Sequence, residues 1–418
     1  MNKKLSIFLF YNFLFLSAAL AHFQKDGTST DNILEDVILY SDGQLIDLKF
    51  SNGKISEILP KKTQKGPNNF QIYVAPGLID QQVNGYLSHS FVSNDLNKEK
   101  LNKITQRLWE NGITTFFPTL TSESSQVLLQ SFSNLDHILG DTQLAQSIPG
   151  FHLEGPYISS LDGFRGVHNP KHIRNPDWKE LKTWIKASGN KIKIITLAPE
   201  LDGSMELIKK CVAHNIKVAL GHTTANAEQI NEAVKLGASL STHLGNGCAN
   251  MIHRHYNPIW PQLSNDGLTI SVIADGFHLT RDEIRTFFKV KGPTNIMLVS
   301  DITRWGGMPS GKYRDFDKEI VVTTSGAIMM PSENVLAGAS FLITKGIEKM
   351  IEYTGCSLAE AIEMATTNPA RAIGLNDRGT ITRGKRADLI CFTYEKGKFE
   401  IIKTIVGGKV VFDKMIKP

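Results

Sequence analysis

Two patterns of apolar and polar positions divide the chain. Residues 35–58, EDVILYSDGQLIDLKFSNGKISEI, alternate apolar and polar side chains between the turn signals Ser41-Asp42-Gly43 and Ser51-Asn52-Gly53. A period of two bounded by such turns predicts antiparallel hairpins. Short β-rich runs separated by Gly and Lys return between Gly379 and Phe412. An isolated hairpin at either end buries too little apolar surface to be stable. The two ends are therefore expected to pair into one small β-sandwich, built from 32–74 and 376–418.

Between them, over 75–375, short apolar runs alternate with longer charged segments compatible with helices. Eight runs stand out: 72–80, 113–120, 148–155, 193–200, 217–223, 238–246, 268–276 and 295–301. Eight strand-plus-helix units predict an α/β fold closed as a (β/α)8 barrel. An open doubly wound sheet is the alternative, but no Gly-rich dinucleotide fingerprint follows the first run. The runs open on Val, Ile or Leu and finish in residues with chemistry: Asp80, Thr119, Glu154, Glu200, His222, His243, Asp275 and Asp301. In such a barrel the C-terminal strand ends converge on one mouth.

Composition changes this picture mainly at the N-terminus. Residues 1–21, MNKKLSIFLFYNFLFLSAALA, join two lysines, an apolar run and a closing Ala-Leu-Ala, the three parts of a secretory signal. Cleavage is expected after Ala21, giving an exported, periplasmic or secreted protein with no stable membrane insertion. Loss of Lys3 and Lys4 lowers the formal charge from +5 to +3, too mild for nucleic acid or an anionic membrane. Cys211, Cys248, Cys356 and Cys391 form no C-x-x-C pair and read as isolated buried thiols before they read as disulfides.

The strand ends carry a specific chemistry. Glu154, His222 and His243 supply one carboxylate and two imidazoles, a ligand set with a position left for water. Such a metal lowers the pKa of water so that hydroxide becomes available near neutral pH. Zn suits the set first, with Fe, Mn or Co as alternatives. The competing reading makes both histidines hydrogen-bonded core residues. Asp301 is the candidate general base and acid, against an ordinary helix N-cap.

PGLIDQQVNG, HLEGP, HNP, TLAPE, GHT, THLGN, IADGFH and VSD, with the C-terminal ATTNPARAIGL, occur in one order along the chain. In them the chain resembles the N-acetylglucosamine-6-phosphate deacetylase family of the amidohydrolase superfamily. The resemblance implies a metal-dependent barrel capped by a β-sandwich, Glu154, His222 and His243 as ligands and Asp301 as the catalytic aspartate. It implies substrate contact by His168, Asn246, the Gly247 backbone and His278, and by Arg254, which the family often supplies from a neighbouring subunit. Gln81 and Val83 are taken as the positions where other amidohydrolases place a H-x-H pair for a second metal, so one ion per site is expected. A homodimer acting on a small amino sugar follows from the same resemblance.

Substrate is left open at three points. Export argues for an unphosphorylated N-acetylated sugar. Arg254 between His253 and His255 suits a phosphate or carboxylate and equally a neutral polyol. After Asp301, Trp305 is placed either on a sugar face or against the barrel rim, and Gly306-Gly307 suggests a mobile flap. The alternatives in function are hydrolysis of N-acyl amino acids, dipeptides or cyclic amides, and a non-catalytic sugar-binding protein.

Overall fold

The computed structural model describes residues 32–62, 71–93, 95–140, 143–315 and 318–414. The signal expected over residues 1–21 lies outside the described residues. Seven strands from both chain ends form one sheet: β1 (Asn32–Leu39), β2 (Leu45–Ser51), β3 (Lys54–Pro60), β4 (Tyr73–Pro76), β19 (Leu389–Glu395), β20 (Lys398–Val406) and β21 (Lys409–Asp413), in the order β21-β20-β19-β4-β1-β2-β3. Their inward side chains, among them Leu34, Ile46, Phe50, Val74, Leu389 and Ile405, share one core. The sheet curls until the Gly53 turn touches the Gly407-Gly408 turn.

Each of the eight expected runs coincides in whole or in part with a barrel strand. These are β5 (Leu78–Val83), β8 (Ile113–Leu120), β9 (Phe151–Glu154), β10 (Ile192–Leu197), β11 (Lys217–Leu220), β12 (Leu240–Ser241), β13 (Thr269–Val272) and β14 (Ile296–Leu298), parallel and paired in sequence order. β6 (Gly85–Tyr86) and β7 (His89–Ser90) form a small hairpin just beyond β5. The ring closes through residues after β14: Val83 bridges Ile302, Asp301 N–H donates to Gln82 O at 3.0 Å and Asn84 N–H to Ile302 O at 2.8 Å. Buried on both faces, β5 and β8 lack any period-two alternation, as parallel strands covered on both sides should.

One run differs from its sequence reading. Residues 72–80 are two elements, β4 in the end sheet and β5 in the barrel, divided at Gly77. A Cβ there would lie 2.1 Å from Thr114 Oγ1, so close approach of the backbone to β8 is what lets the chain pass from one sheet to the other.

Inward residues stack in layers because alternate positions on a strand share a face. Phe117, Ile194, Ala219, Leu240 and Met297 form an apolar floor with Ile373 from the helix Thr367–Ile373. Two residues further along, Thr119, Thr196 and Thr242 make a polar layer. His152 joins it, with Nε2 2.7 Å from Thr196 Oγ1 and Nδ1 3.1 Å from Gln81 O. Burial pushes the His152 pKa down to about 4, so the ring is a neutral structural member of the floor. The candidate ligands sit on the next layer up.

After Asp301 the chain enters a four-stranded antiparallel sheet: β15 (Gly311–Asp315), β16 (Lys318–Val322), β17 (Ile328–Met330) and β18 (Val335–Leu336). Trp305 packs into this sheet's own core with Ile320, Val322, Ile328 and Met330, with the Arg304 guanidinium 4.6 Å above its ring. The flap expected from Gly306-Gly307 is thus a folded unit. Its glycines serve close packing: a Cβ on Gly306 would meet Ile302 Cγ1 at 2.5 Å, and one on Gly307 would meet Leu87 Cδ2 at 2.8 Å. All four cysteines are free and three are buried. Among the described residues no helix is long and apolar enough to cross a membrane.

Candidate active site

The C-terminal end of β9 and the loops after β11, β12 and β14 bring Glu154, His222, His243 and Asp301 together at the C-terminal mouth. His222 Nε2 lies 3.3 Å from Glu154 Oε1, His243 Nε2 lies 3.1 Å from the same oxygen, and the two Nε2 atoms are 3.1 Å apart. All three side chains are buried. A zinc site with ligand bonds of about 2.0–2.1 Å and tetrahedral angles has ligand–ligand separations of about 3.3–3.4 Å. The donor triangle therefore fits a small divalent cation. His222 Nδ1–H donates to Phe164 O at 2.8 Å, which fixes the proton on Nδ1 and leaves Nε2 with its lone pair facing the cluster.

Electrostatics agree with the geometry. Burial opposes the charge of Glu154, yet His222 and His243 hold its carboxyl well below the usual carboxylate range. Burial pulls the His243 imidazole down, but the Glu154 carboxylate overrides it and raises the pKa. The cluster favours an anionic carboxylate with positive charge beside it.

His168 lies close by: one donor atom each from Glu154, His168 and His222 falls within 4.8 Å. That wider set is a poorer cation site than the tight triangle. His168 Nδ1 accepts from Ser122 N–H at 3.3 Å and lies 2.8 Å from Ser122 Oγ, so the neutral ring carries its proton on Nε2. Burial, with His222 adjacent, pushes its pKa down to about 3, making it a neutral hydrogen-bond donor at the mouth.

Asp301 is not a helix N-cap, since the chain after it leads into the inserted sheet. Its Oδ1 accepts from Asn84 Nδ2 at 2.5 Å and from Gln82 Nε2 at 3.0 Å, and the same Gln82 amide reaches Glu154 Oε1 at 2.9 Å. Burial pushes the Asp301 carboxyl up to about 6, the Glu154 charge adds to the rise, and His243, His278 and the Asn84 bond oppose it. The side chains reaching the site from β5 and the residue after it are thus Gln82 and Asn84, not Gln81 and Val83. They share a face with Asp80, so counting by two from that residue identifies them.

The backbone is strained at the same positions. His222, His243 and Asp301 have φ of 51°, 31° and 53°, each a left-handed conformation costing a non-glycine residue of order 1–2 kcal/mol. Glu200 compensates beside His222, accepting from Thr224 N–H at 2.6 Å, Thr224 Oγ1 at 2.9 Å and Thr223 Oγ1. Ser271 Oγ accepts His243 N–H at 2.8 Å.

Comparison with known proteins decides the family. The amidohydrolase family model matches residues 73–411. The chain belongs to the amidohydrolase family. It is an enzyme by that membership, and amidohydrolases of this kind are metal-dependent. The amidohydrolase is 30% identical over 393 residues to N-acetylglucosamine-6-phosphate deacetylase of Bacillus subtilis (strain 168), covering 91% of this chain and 97% of that one. Among solved structures, the Thermotoga maritima N-acetylglucosamine-6-phosphate deacetylase superposes with a TM-score of 0.80 at 29% identity, over 91% of this chain and 100% of that one. The Mycobacterium smegmatis deacetylase, solved in complex with N-acetyl-D-glucosamine-6-phosphate, gives 0.81 at 25% identity, over 92% and 100%.

Around this centre the amidohydrolase places the expected substrate-side residues unequally. His278 Nδ1 is 2.8 Å from Asp275 Oδ2, while Asp275 Oδ1 accepts from the backbone N–H groups of Phe277 and His278. Burial raises the Asp275 carboxyl, but the His278 contact outweighs it and keeps the pKa below the usual value. The Asp275 contact thereby fixes the His278 ring through Nδ1. Gly247 lies against His222, with an added Cβ 2.7 Å from Nδ1, and Asn246 folds back on His243 O. Arg254 is exposed on a loop ordered by its own turns: His253 Nδ1 accepts from His255 N–H and Tyr256 N–H, and Trp260 Nε1–H donates to Arg254 O at 3.0 Å. His253 thus shapes the turn that presents Arg254.

Proposed function

We propose that this amidohydrolase removes the acetyl group from an N-acetylated amino sugar, using one divalent cation held by Glu154, His222 and His243, with Asp301 as general base and then general acid. The observation carrying this reading is the buried triangle of donor atoms 3.1–3.3 Å apart, joined through the Gln82 amide to Asp301. Zinc is the cation proposed, since two imidazoles and a carboxylate suit it. One ion per site is proposed because the Gln82 amide already bridges Glu154 Oε1 and Asp301 Oδ1 as a donor, and the Asn84 amide donates to the same Asp301 oxygen. When bound, such a cation supplies Lewis acidity that polarises an amide carbonyl and favours ionisation of water.

The chain's own groups do the rest. Gln82 and Asn84 both engage Asp301 Oδ1, leaving Oδ2 to take a proton from the attacking water and return it to the departing amine nitrogen. A pKa of about 6 suits a group that must do both near neutral pH. His168, as the Nε2–H tautomer, and His278, held by Asp275, hydrogen-bond the sugar and its acetyl oxygen. The floor of apolar and threonine side chains closes the barrel beneath the reacting atoms.

The relatives bear the name of a 6-phosphorylated sugar, and the outward Arg254 suits bidentate binding of an anion. A 6-phosphorylated N-acetylhexosamine is therefore the substrate proposed. The leader expected over residues 1–21 favours a second reading, export of the chain and an unphosphorylated N-acetylated sugar. Acetate release from N-acetylglucosamine-6-phosphate, N-acetylgalactosamine-6-phosphate, N-acetylglucosamine and N-acetylmuramic acid separates the two, and a mature chain beginning at His22 would support export. Met251, 90% exposed, and Tyr256, 83% exposed, flank Arg254 and support a homodimer, which light scattering tests.

A further inference from the structure

The chain after β9 winds through consecutive turns from Leu161 to His168. Arg165 N–H donates to Leu161 O, Gly166 N–H to Gly163 O and His168 N–H to Arg165 O, at 3.0, 3.3 and 3.1 Å. Three residues of this loop face His222. Phe164 O takes its Nδ1–H at 2.8 Å, a Cβ added to Gly166 would lie 3.1 Å from its Cε1, and the His168 ring meets it edge-on at 4.6 Å between centroids.

Arg165 holds the loop from within. Its Nη1 donates to Gly166 O and His168 O, both at 3.2 Å, and its Nε and Nη2 donate to Asp162 Oδ1 at 3.1 and 2.9 Å. Nη2 also lies 3.4 Å from Glu333 Oε2, with the two side chains 12% and 24% exposed. Glu333, which also pairs with Lys318, sits between β17 and β18 of the inserted sheet. The stem of that sheet is seated on Asp301, whose carbonyl accepts Ala339 N–H at 3.1 Å, while Thr303 N–H donates to Ala339 O at 3.2 Å. The sheet therefore reaches from the residue proposed as base to the loop that orients a proposed ligand.

We propose that Arg165 is a positioning residue for the metal site, latched from the inserted sheet by Glu333. By tying Gly166 O and His168 O to a fixed carboxylate, it holds the Phe164 carbonyl against His222 Nδ1 and the His168 ring beside it. Partners that orient a ligand in this way change metal affinity by roughly 10–100-fold when lost. The guanidinium is suited to the task because its planar fork satisfies two carbonyls and two carboxylates at once.

This inference rests on Glu154, His222 and His243 being the ligand set. The test is zinc affinity, by competition with a chromophoric chelator, together with kcat and KM for acetate release, in wild type, Glu333→Gln, Arg165→Lys and Arg165→Met. Arg165→Met is expected to bind zinc about 10–100-fold more weakly, Glu333→Gln to shift in the same direction by less, and Arg165→Lys to recover part of the loss. The double variant Arg165→Met/Glu333→Gln should be no weaker than Arg165→Met alone, because the latch acts only through Arg165. Should Arg165→Met fail to fold, Glu333→Gln and Arg165→Lys still decide the matter. Wild-type zinc affinity in these variants, or a Glu333→Gln effect that adds in full to that of Arg165→Met, would overturn the inference. A wild type that binds no zinc would instead overturn the ligand set itself.

Discussion

Removing the amide of Asn84 should move the pH dependence of the reaction in a calculable direction. Asn84 Nδ2 donates to Asp301 Oδ1 at 2.5 Å, and this bond is one of the influences lowering a carboxyl that burial has pushed up to about 6. A hydrogen bond to a charged group contributes about 1.5–3 kcal/mol, and one pKa unit corresponds to about 1.36 kcal/mol. Loss of the donor therefore raises the Asp301 pKa by about one to two units. Gln82 Nε2, which remains at 3.0 Å, and water entering the space left behind bring this toward about one unit.

The base must be ionised to accept a proton, so the acid limb of kcat/KM moves to higher pH in Asn84→Ala. A bound cation lowers the Asp301 pKa in both proteins alike, and the difference between them survives. The assay is kcat/KM for acetate release across the acid-to-neutral range in the zinc-loaded wild type and Asn84→Ala. An acid limb unmoved in the variant, with activity otherwise intact, would refute Asp301 as the titrating base.

Three further outcomes follow from the same geometry. His243→Ala removes one corner of the donor triangle, so the stabilisation by zinc, about 2.7 kcal/mol at a hundred times Kd, should disappear from a thermal melt. Gly247→Ala puts a Cβ 2.7 Å from His222 Nδ1 at a φ of 58°, and zinc affinity should fall while the circular dichroism spectrum is preserved. Arg254→Ala should raise KM for a phosphorylated sugar by about 10–100-fold, the equivalent of about 1.5–3 kcal/mol, and leave KM for the neutral sugar unchanged. An equal rise for both sugars would remove Arg254 from anion binding.

The barrel was legible because its strands are buried on both faces and read as apolar runs, as in β8. Their endings were legible because a polar residue after such a run has little to do except face the mouth, and Glu154, His222, His243 and Asp301 do meet there. Gln82 and Asn84 were missed for a local reason. In the sequence pattern the first run ends at Asp80, whereas β5 continues to Val83, and a shift of one residue exchanges the faces of a strand. Trp305 could not be placed because its partners, Ile320 to Met330, lie in strands whose pairing the local pattern does not reveal. The Gly306-Gly307 pair reads the same whether it serves mobility or close packing, and only the neighbouring Ile302 and Leu87 distinguish them.

Asp301 and a cation held by Glu154, His222 and His243 are proposed to hydrolyse the acetamide of an amino sugar. Acetate release from N-acetylglucosamine-6-phosphate by zinc-loaded wild type and Asp301→Asn tests it directly. The wild type should yield acetate and free amine in equal amounts, and Asp301→Asn should show a kcat lower by about 10²–10⁴-fold with zinc still bound. Undiminished turnover in the variant, or a zinc-loaded wild type that releases no acetate from any phosphorylated or neutral N-acetylated sugar, would contradict it.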